Sequence, residues 1–294
     1  MNEKLAAWLS DGPLLLDGGT GSLLRFAGLA PNESPDLWNL TFPEKVLHAA
    51  KSFRSAGSDI LLTNSFGANR LMLARFGAAE RVADVNRRAA EIARSAAGKG
   101  ALVFGTIGPT GVNLSNGDVS RRELYGVFAE QAQSLAAAGV DGLVIETMTD
   151  IGELREAIRG ARTTALPVAA CMTFGTGKRK DRTGAGITPE EVAEAVSAAG
   201  ADIIGANCGA GTEGFLSLCR RFRAVCTLPV WMKPSAGIPR TAGDEPVYDL
   251  TPETFTAAAA ELLDAGASFV GGCCGVTPVF IGRLRSLLDR RRAC

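Results

Sequence analysis

The sequence contains one histidine, His48, among its 294 residues. A single imidazole excludes metal sites built from several histidines, and it leaves no usual arrangement for a Ser-His-Asp triad. His48 lies within the run 43–56, whose apolar residues recur with helical spacing. We therefore expect His48 on the surface of a helix.

Excess charge of either sign is also lacking, because 31 Lys and Arg residues balance 31 Asp and Glu residues. The short basic runs at 178–180 and 290–292 are typical of solvated loops and helix ends, so the sequence predicts no nucleic-acid partner. No apolar stretch approaches the length that spans a bilayer, and the first ten residues lack the apolar segment of a signal peptide. We therefore expect no membrane partner and no secretion.

Seven cysteines occur without a secretory signal, which predicts a cytoplasmic protein whose thiols bind metal or stay free. Three of them lie in glycine-rich runs that follow short apolar stretches: Gly205-Ala-Asn-Cys208-Gly-Ala-Gly211 and Val270-Gly-Gly-Cys273-Cys274-Gly275. Glycine lets the backbone bend sharply, so these thiols can converge on one point. Three thiolates suit a zinc ion whose fourth position is left for substrate or water. The alternative, three small buried apolar side chains, explains neither the glycines nor the positions after strands.

Short apolar runs alternate with longer Ala-rich amphipathic runs along the whole chain. Strands are predicted at 14–16, 60–63, 102–107, 142–145, 168–172, 203–206, 230–233 and 269–271. Helices are predicted near 43–56, 79–97, 120–138, 150–164, 189–199, 213–225, 251–265 and 278–290. Eight strand-then-helix units predict a (β/α)₈ TIM barrel formed as a single domain from residues 1–294. A doubly wound open sheet is the alternative, but its dinucleotide fingerprint is absent from Asp17-Gly-Gly-Thr-Gly-Ser22.

Two acidic residues, Asp17 and Glu146, fall at predicted strand ends, which in a barrel meet the thiols at one face. A glycosidase-like pair of acids is conceivable, but it leaves the three thiols without a role. Both acids are better explained as partners of an ammonium group, and the backbone N–H groups of Gly18 and Gly19 can receive a carboxylate. These features predict an amino-acid thiol, such as homocysteine or cysteine, as a substrate.

The sequence resembles the zinc-dependent homocysteine S-methyltransferases across nearly its whole length. The resemblance rests on these segments, in order: Asp17–Ser22, Thr63–Gly67, Ile107–Thr110, Ile145–Met148, Gly205–Gly209, Ser235–Pro239, Tyr248–Thr251 and Gly271–Gly275. It implies a (β/α)₈ barrel, zinc on Cys208, Cys273 and Cys274, and homocysteine bound through Asp17 and Glu146. The expected product is methionine.

Among the subgroups, Pro35-Asp-Leu-Trp38 and the compact length look most like bacterial betaine–homocysteine methyltransferases. This likeness implies that Trp38 contacts a cationic methyl donor through its aromatic face; packing of a loop is the alternative role. The chain departs from this pattern at Gly67, where the animal betaine enzymes have a tyrosine. It departs again at Ser235, where the family often has Asn, and at Thr147, where the animal enzymes have Tyr; those Asn and Tyr side chains can serve as the fourth zinc ligand.

Three functions remain open at this point. The first is a self-contained methyltransferase that takes its methyl group from an onium donor, betaine or a sulfonium. The second is an acceptor module, like the homocysteine module of cobalamin-dependent methionine synthase, which works with a separate corrinoid protein. The third is a non-catalytic structural zinc or redox-sensing protein, which predicts a closed site, but neither cysteine motif contains a fourth Cys or His ligand.

Overall fold

The computed structural model describes residues 3–112, 114, 117, 119–242 and 245–293. Its ten described strands are β1 (Leu14–Leu15), β2 (Ile60–Leu62), β3 (Leu102–Ile107), β4 (Gly142–Met148), β5 (Val168–Met172), β6 (Ile203–Cys208), β7 (Val230–Pro234), β8 (Arg240–Ala242), β9 (Glu245–Val247) and β10 (Phe269–Val270). Eight of them form one parallel sheet in the order β1-β10-β7-β6-β5-β4-β3-β2, and β8 and β9 form a separate antiparallel hairpin. All eight predicted strands are therefore confirmed.

One helix precedes β1, and the other helices follow strands and surround the sheet. The described α-helices are α1 (Glu3–Trp8), α2 (Thr20–Phe26), α3 (Trp38–Thr41), α4 (Pro43–Ser55), α5 (Arg70–Ala74), α6 (Val82–Ala97), α7 (Arg121–Ala137), α8 (Ile151–Ala161), α9 (Pro189–Ala199), α10 (Phe215–Val225), α11 (Pro252–Asp264) and α12 (Pro278–Arg292). The predicted helix at 79–97 is divided, since a 3₁₀ turn (Ala79–Arg81) precedes α6. His48 is exposed on α4, as predicted. None of the described helices is long and apolar enough to cross a bilayer.

The sequence signals at helix starts operate as local chemistry predicts. The hydroxyl of Thr188 accepts a hydrogen bond from the backbone N–H of Glu191 (3.2 Å), and the Glu191 carboxylate accepts one from the Thr188 N–H (2.8 Å). This capping box satisfies two N–H groups that the first helical turn leaves without partners. Proline follows in the first helical turn, where its missing N–H costs nothing.

The sheet closes into a barrel between β1 and β2. The backbone N–H of Asp59 donates to the carbonyl oxygen of Leu15 (2.8 Å), and one carboxylate oxygen of Asp59 accepts from the N–H of Leu15 (2.9 Å). Nearer the carboxyl ends of these strands, Asp17 Oδ2 accepts a hydrogen bond from the backbone N–H of Leu62 (2.8 Å). Two acidic side chains thus join the edges of the sheet, and the predicted (β/α)₈ barrel is confirmed.

Alternate residues of each strand face opposite sides, as the strand period of two requires. The barrel interior is filled by a cluster of fully or nearly fully buried side chains: Leu5, Leu16, Ile60, Leu62, Phe104, Val144, Ala169, Cys171, Ile203, Trp231 and Phe269. Their neighbours in sequence pack outward against the helices in a second, larger cluster. Because these residues fill the interior, a ligand has room only at the carboxyl ends of the strands.

Candidate active site

A cavity of about 430 Å³ opens at the carboxyl ends of the barrel strands. Its wall combines Glu146 from β4, Cys208 from β6, Lys233 from β7 and the pair Cys273 and Cys274 after β10. Further parts of the wall come from α2 and the segment after it, from the loops that follow β1 and β2, and from Thr106 on β3 and Tyr248 after β9. Acidic, basic and thiol side chains that lie far apart in the sequence therefore share one cavity.

The three thiols converge, as the sequence predicts. The sulfur atoms of Cys208, Cys273 and Cys274 all lie within 4.8 Å of one another, and those of Cys273 and Cys274 are 4.0 Å apart. Tetrahedral ligands at a Zn–S distance of about 2.3 Å are about 3.8 Å apart, so the donor set and its spacing fit zinc. Cys208 has a positive φ of 65°, which is uncommon for a residue with a side chain.

Hydrogen bonds among the three thiols shift the pKa values of these groups in opposite directions. Interactions with Cys273 and Cys274 lower the pKa of Cys208, and the same interactions raise the pKa of Cys274 far above its usual value. Ser235 adds a hydroxyl that donates to the sulfur of Cys208 (3.7 Å). Hydrogen bonds from the two neighbouring thiols and from Ser235 therefore favour negative charge on the sulfur of Cys208.

Lys233 is the residue of this site that the sequence analysis missed. Its side chain is 4% exposed, and its Nζ lies 3.5 Å from Asp17 Oδ1 and 3.7 Å from Glu146 Oε1. The predicted ammonium partner of the two acids is therefore present in the chain itself. Lysine is seldom buried unless paired, so a lysine in the otherwise apolar run of β7 was the available signal.

Burial controls the protonation of this group of three charges. Desolvation raises the pKa of Glu146 to about 7 although Lys233 opposes the rise, and it raises the pKa of Asp17 in the same way. Desolvation alone would lower the pKa of Lys233, but the charges of Glu146 and Asp17 outweigh it, and the pKa ends well above its usual value. Lys233 is thus a permanent cation, whereas Glu146 can gain or lose a proton near neutral pH.

The backbone after β1 is tightly packed. A Cβ atom on Gly18 would lie 2.3 Å from the carbonyl oxygen of Val276 and 2.5 Å from the Phe53 ring, so only glycine fits there. The N–H of Gly19 donates to Val276 O (2.9 Å), so the predicted contact of this group with a substrate carboxylate is wrong. Gly18 lines the cavity, and its role in binding a carboxylate stays a prediction.

Trp38 lies away from the cavity lining, in a hydrophobic cluster between α2, α4 and α6. Its side chain is 3% exposed, its ring packs 4.9 Å from that of Phe42, and the Lys45 ammonium lies 4.7 Å from its centroid. The indole face already has a cation of the chain above it. Loop packing is therefore the favoured role, and the predicted donor contact of Trp38 stays untested.

We expect Trp38→Phe to lower the free energy of unfolding by about 1–2 kcal/mol, because a smaller ring leaves space in this cluster. The KM for the methyl donor should remain within about twofold of the original value, because the indole contributes no part of the cavity wall. Urea unfolding together with steady-state kinetics checks both. A large rise in the KM for the methyl donor, with an unchanged free energy of unfolding, would show that Trp38 contacts the donor.

The structure also explains why position 67 is a glycine. Its N–H donates to Asp36 Oδ1 (2.9 Å), and a Cβ at this position would lie 2.8 Å from Asp36 Oδ2. Asp36 is 4% exposed, and burial raises its pKa to about 6. A buried carboxylate therefore fills the space beside Gly67, and a tyrosine there would require Asp36 to move.

Comparisons with known proteins agree with this geometry. The homocysteine S-methyltransferase family matches residues 14–288. The methionine synthases of Mycobacterium tuberculosis and Mycobacterium leprae are 28% and 27% identical over 295 and 290 residues; each match covers 93% of this chain and 24% of the relative. The chain thus spans about a quarter of the length of these relatives.

Solved structures of the homocysteine methyltransferase MmuM from Escherichia coli share the fold. The metallated form superimposes with a TM-score of 0.80 at 21% identity, covering 96% of this chain and 99% of that one. The oxidized form gives a TM-score of 0.78 at 22% identity, covering 97% and 100% of the two chains. The family match extends over almost the whole barrel and includes every residue of the thiol and acid groups. The chain belongs to the homocysteine S-methyltransferase family.

Proposed function

We propose that this chain is a zinc-dependent enzyme that moves a methyl group from an onium donor to the thiolate of homocysteine, giving methionine. One observation carries the assignment of the acceptor site. Asp17 Oδ1 and Glu146 Oε1 are buried and face Lys233 at 3.5 and 3.7 Å, but neither makes a hydrogen bond to a described residue, and both lie in or beside the cavity that holds the three thiols. A ligand with both an ammonium group and a thiol would pair its ammonium with the two acids and place its sulfur at the three thiols.

Charge supports the same ligand. Two carboxylates surround one lysine, which leaves one negative charge unmatched when both acids are ionised. A buried charge without a partner is costly, so the site favours one further monocation. The α-ammonium of homocysteine has that charge, and Asp17 and Glu146 are its proposed partners.

Cys208, Cys273 and Cys274 are the proposed zinc ligands. Zinc bound there would supply the Lewis acidity that keeps a thiol deprotonated near neutral pH. The chain itself holds the acceptor by its ammonium group and fixes the direction of its sulfur. The new S–CH₃ bond forms as the bond from methyl to the onium atom breaks, and the electron pair leaves with the neutral amine or thioether. Alignment of the two substrates contributes much of the rate enhancement.

Two further residues of the cavity favour a small onium carboxylate as donor. Phe66 lines the cavity with its ring 38% exposed, so it offers an aromatic face to a cationic methyl group. Arg25 lines the same cavity and donates from Nη1 to the carbonyl oxygen of Leu29 (3.0 Å). A guanidinium has five N–H donors, so Arg25 retains donors for a carboxylate.

A second candidate function is that of an acceptor module that receives methyl from a separate corrinoid protein. The specific observation in its favour is that the similar methionine synthases are about four times as long as the matched region. Under either function we expect the protein in the cytoplasm, where its thiols stay reduced.

A donor panel separates the two functions. Zinc-loaded protein is incubated with homocysteine and, in turn, betaine, a dimethylsulfonium carboxylate, S-methylmethionine and free methylcobalamin, and methionine is measured. The proposal predicts methionine with at least one onium donor. Methionine from methylcobalamin alone would favour the corrinoid function, and absence of homocysteine binding would refute both.

We expect Glu146→Gln to weaken homocysteine binding by about 1.5–3 kcal/mol, or about 10- to 150-fold, because a charged hydrogen bond to the ammonium is lost. Zinc content should not change. In the unsubstituted protein, affinity should rise as the pH increases through about 7, since Glu146 loses its proton there and only its ionised form pairs with an ammonium. Titration calorimetry at several pH values measures both effects.

Glu156→Gln is the matched control. Glu156 is also a buried acid, but it lies on α8, pairs with Arg159 (2.7 Å) and is absent from the cavity wall. Substitution of Glu156 should leave the homocysteine affinity and the rise of that affinity near pH 7 unchanged, whereas Glu146→Gln should abolish the rise. Equal affinities for the Glu146→Gln and unsubstituted proteins would exclude the proposed ammonium contact.

A further inference from the structure

Thr147, the residue after Glu146, has an unusual backbone. Its φ is 61°, in the left-handed region, where a β-branched residue is a true outlier. The register of β4 against β5 shifts between Ile145 and Met148, so β4 has one residue more than its partner over this stretch. Such a bulge redirects side chains, and both Glu146 and Thr147 line the cavity although they are adjacent in a strand.

Asn207 is the group that holds this conformation. It is fully buried, its Oδ1 accepts from the Thr147 N–H (2.7 Å), and its Nδ2 donates to Thr147 Oγ1 (2.8 Å). The same Nδ2 lies 3.9 Å from the sulfur of Cys273. One amide thus bonds both polar groups of the strained residue and contacts the thiol group.

We propose that Asn207 is a positioning residue, which holds Thr147 at positive φ and thereby directs the Glu146 carboxylate toward the acceptor's ammonium. The inference rests on the proposed function, because it concerns the binding of homocysteine. Backbone strain persists only where the surroundings compensate for it, and the two hydrogen bonds from Asn207 are that compensation. Without them, Thr147 relaxes to negative φ and the bulge that presents Glu146 is lost.

Asn207→Ala tests this in the zinc-loaded protein. We expect bound zinc to remain and the dissociation constant of homocysteine to increase at least about tenfold. Adding Thr147→Gly should restore the constant to within about threefold of the original, because glycine adopts positive φ without strain. If Asn207 only adds general stability, a glycine at position 147, two strands away on β4, should not restore homocysteine binding.

Asn86→Ala is the matched control, since Asn86 is another fully buried amide, which donates to Ala68 O and Val82 O (2.8 Å each) away from the cavity. It should lower thermal stability without changing homocysteine affinity. If Asn207→Ala does not fold, Asn207→Leu replaces it: this side chain has the branched shape of asparagine but makes neither hydrogen bond to Thr147. It should weaken homocysteine binding as Asn207→Ala does, and Thr147→Gly should again restore it.

Two results would overturn the inference: unchanged homocysteine affinity in Asn207→Ala, or weakened affinity that Thr147→Gly does not restore. If the unsubstituted protein binds no homocysteine, the proposed function fails instead, and crystal structures of the variants still decide the role of Asn207. They should have Thr147 at negative φ with Glu146 displaced. Thr147 retained at positive φ in Asn207→Ala would contradict the role.

Discussion

Replacing Cys208 with serine is expected to lower zinc affinity by more than about 100-fold, which exceeds the effect of losing a group that only contacts a ligand. The sulfur of Cys208 lies within 4.8 Å of those of Cys273 and Cys274, so its removal leaves two thiols at the site. A serine hydroxyl stays protonated at neutral pH and is a poor substitute for a soft thiolate. Zinc content after dialysis against a weak chelator measures the loss, and methionine formation should fall with it.

Cys226→Ser is the control for this substitution. Cys226 is a partly buried free cysteine at the end of α10, outside the thiol group, and its sulfur contacts the carbonyl oxygen of Phe222 (3.3 Å), a contact that a hydroxyl preserves. Its variant should keep about one zinc per chain. Full zinc retention in Cys208→Ser would show that the three thiols do not form the metal site.

Lys233→Met is expected to lower the free energy of unfolding by about 3–5 kcal/mol, the range found when one partner of a buried ion pair is removed. The methionine side chain fills a similar volume, but Asp17 and Glu146 then face each other across the barrel without a cation. The acids can avoid this repulsion only by taking up a proton. Lys233 opposes the rise that burial causes in the pKa of Glu146 and of Asp17, so ionising the acids costs more in the variant and the loss should grow as the pH rises. Urea unfolding at pH 6 and at pH 8 measures this difference.

Two comparisons isolate the electrostatic cause. Lys51→Met, on the exposed face of α4, should change stability by less than about 0.5 kcal/mol. The double variant Lys233→Met/Glu146→Gln should recover part of the loss, because one of the two unpaired acids is neutralised. A Lys233→Met protein as stable as the original would mean that the ammonium does not stabilise the two acids.

The barrel could be predicted from sequence because its signals are local. Apolar runs that form parallel strands and helix caps such as Thr188 act within a few residues, and each predicted strand–helix unit is present. The short helix α2 and the hairpin of β8 and β9 were not predicted, because apolar residues do not recur in either segment with a clear helical or strand spacing. Thr277 precedes Pro278 as Thr188 precedes Pro189, but the Thr277 side chain caps no N–H.

Within the site, the sequence predicted that the three thiols converge and that Asp17 and Glu146 lie beside them, but it did not predict the contacts of Lys233. Glycines around Cys208 and Cys273 indicate close approach, and family-specific motifs sharpen that signal. The contacts of Lys233 with Asp17 and Glu146 cross the barrel interior between three strands, so they depend on strand tilt and stagger, which no local pattern reveals. The burial of Trp38 depends likewise on how α2, α4 and α6 pack around it.

X-ray absorption at the zinc edge tests the central claim most directly, because it counts the sulfur ligands of the bound metal. Without substrate, the account predicts three sulfur ligands at about 2.3 Å and one lighter ligand; with homocysteine, it predicts four sulfurs. The fourth sulfur should require the homocysteine thiol, so methionine at the same concentration should leave three. Three sulfurs both with and without homocysteine would contradict the account.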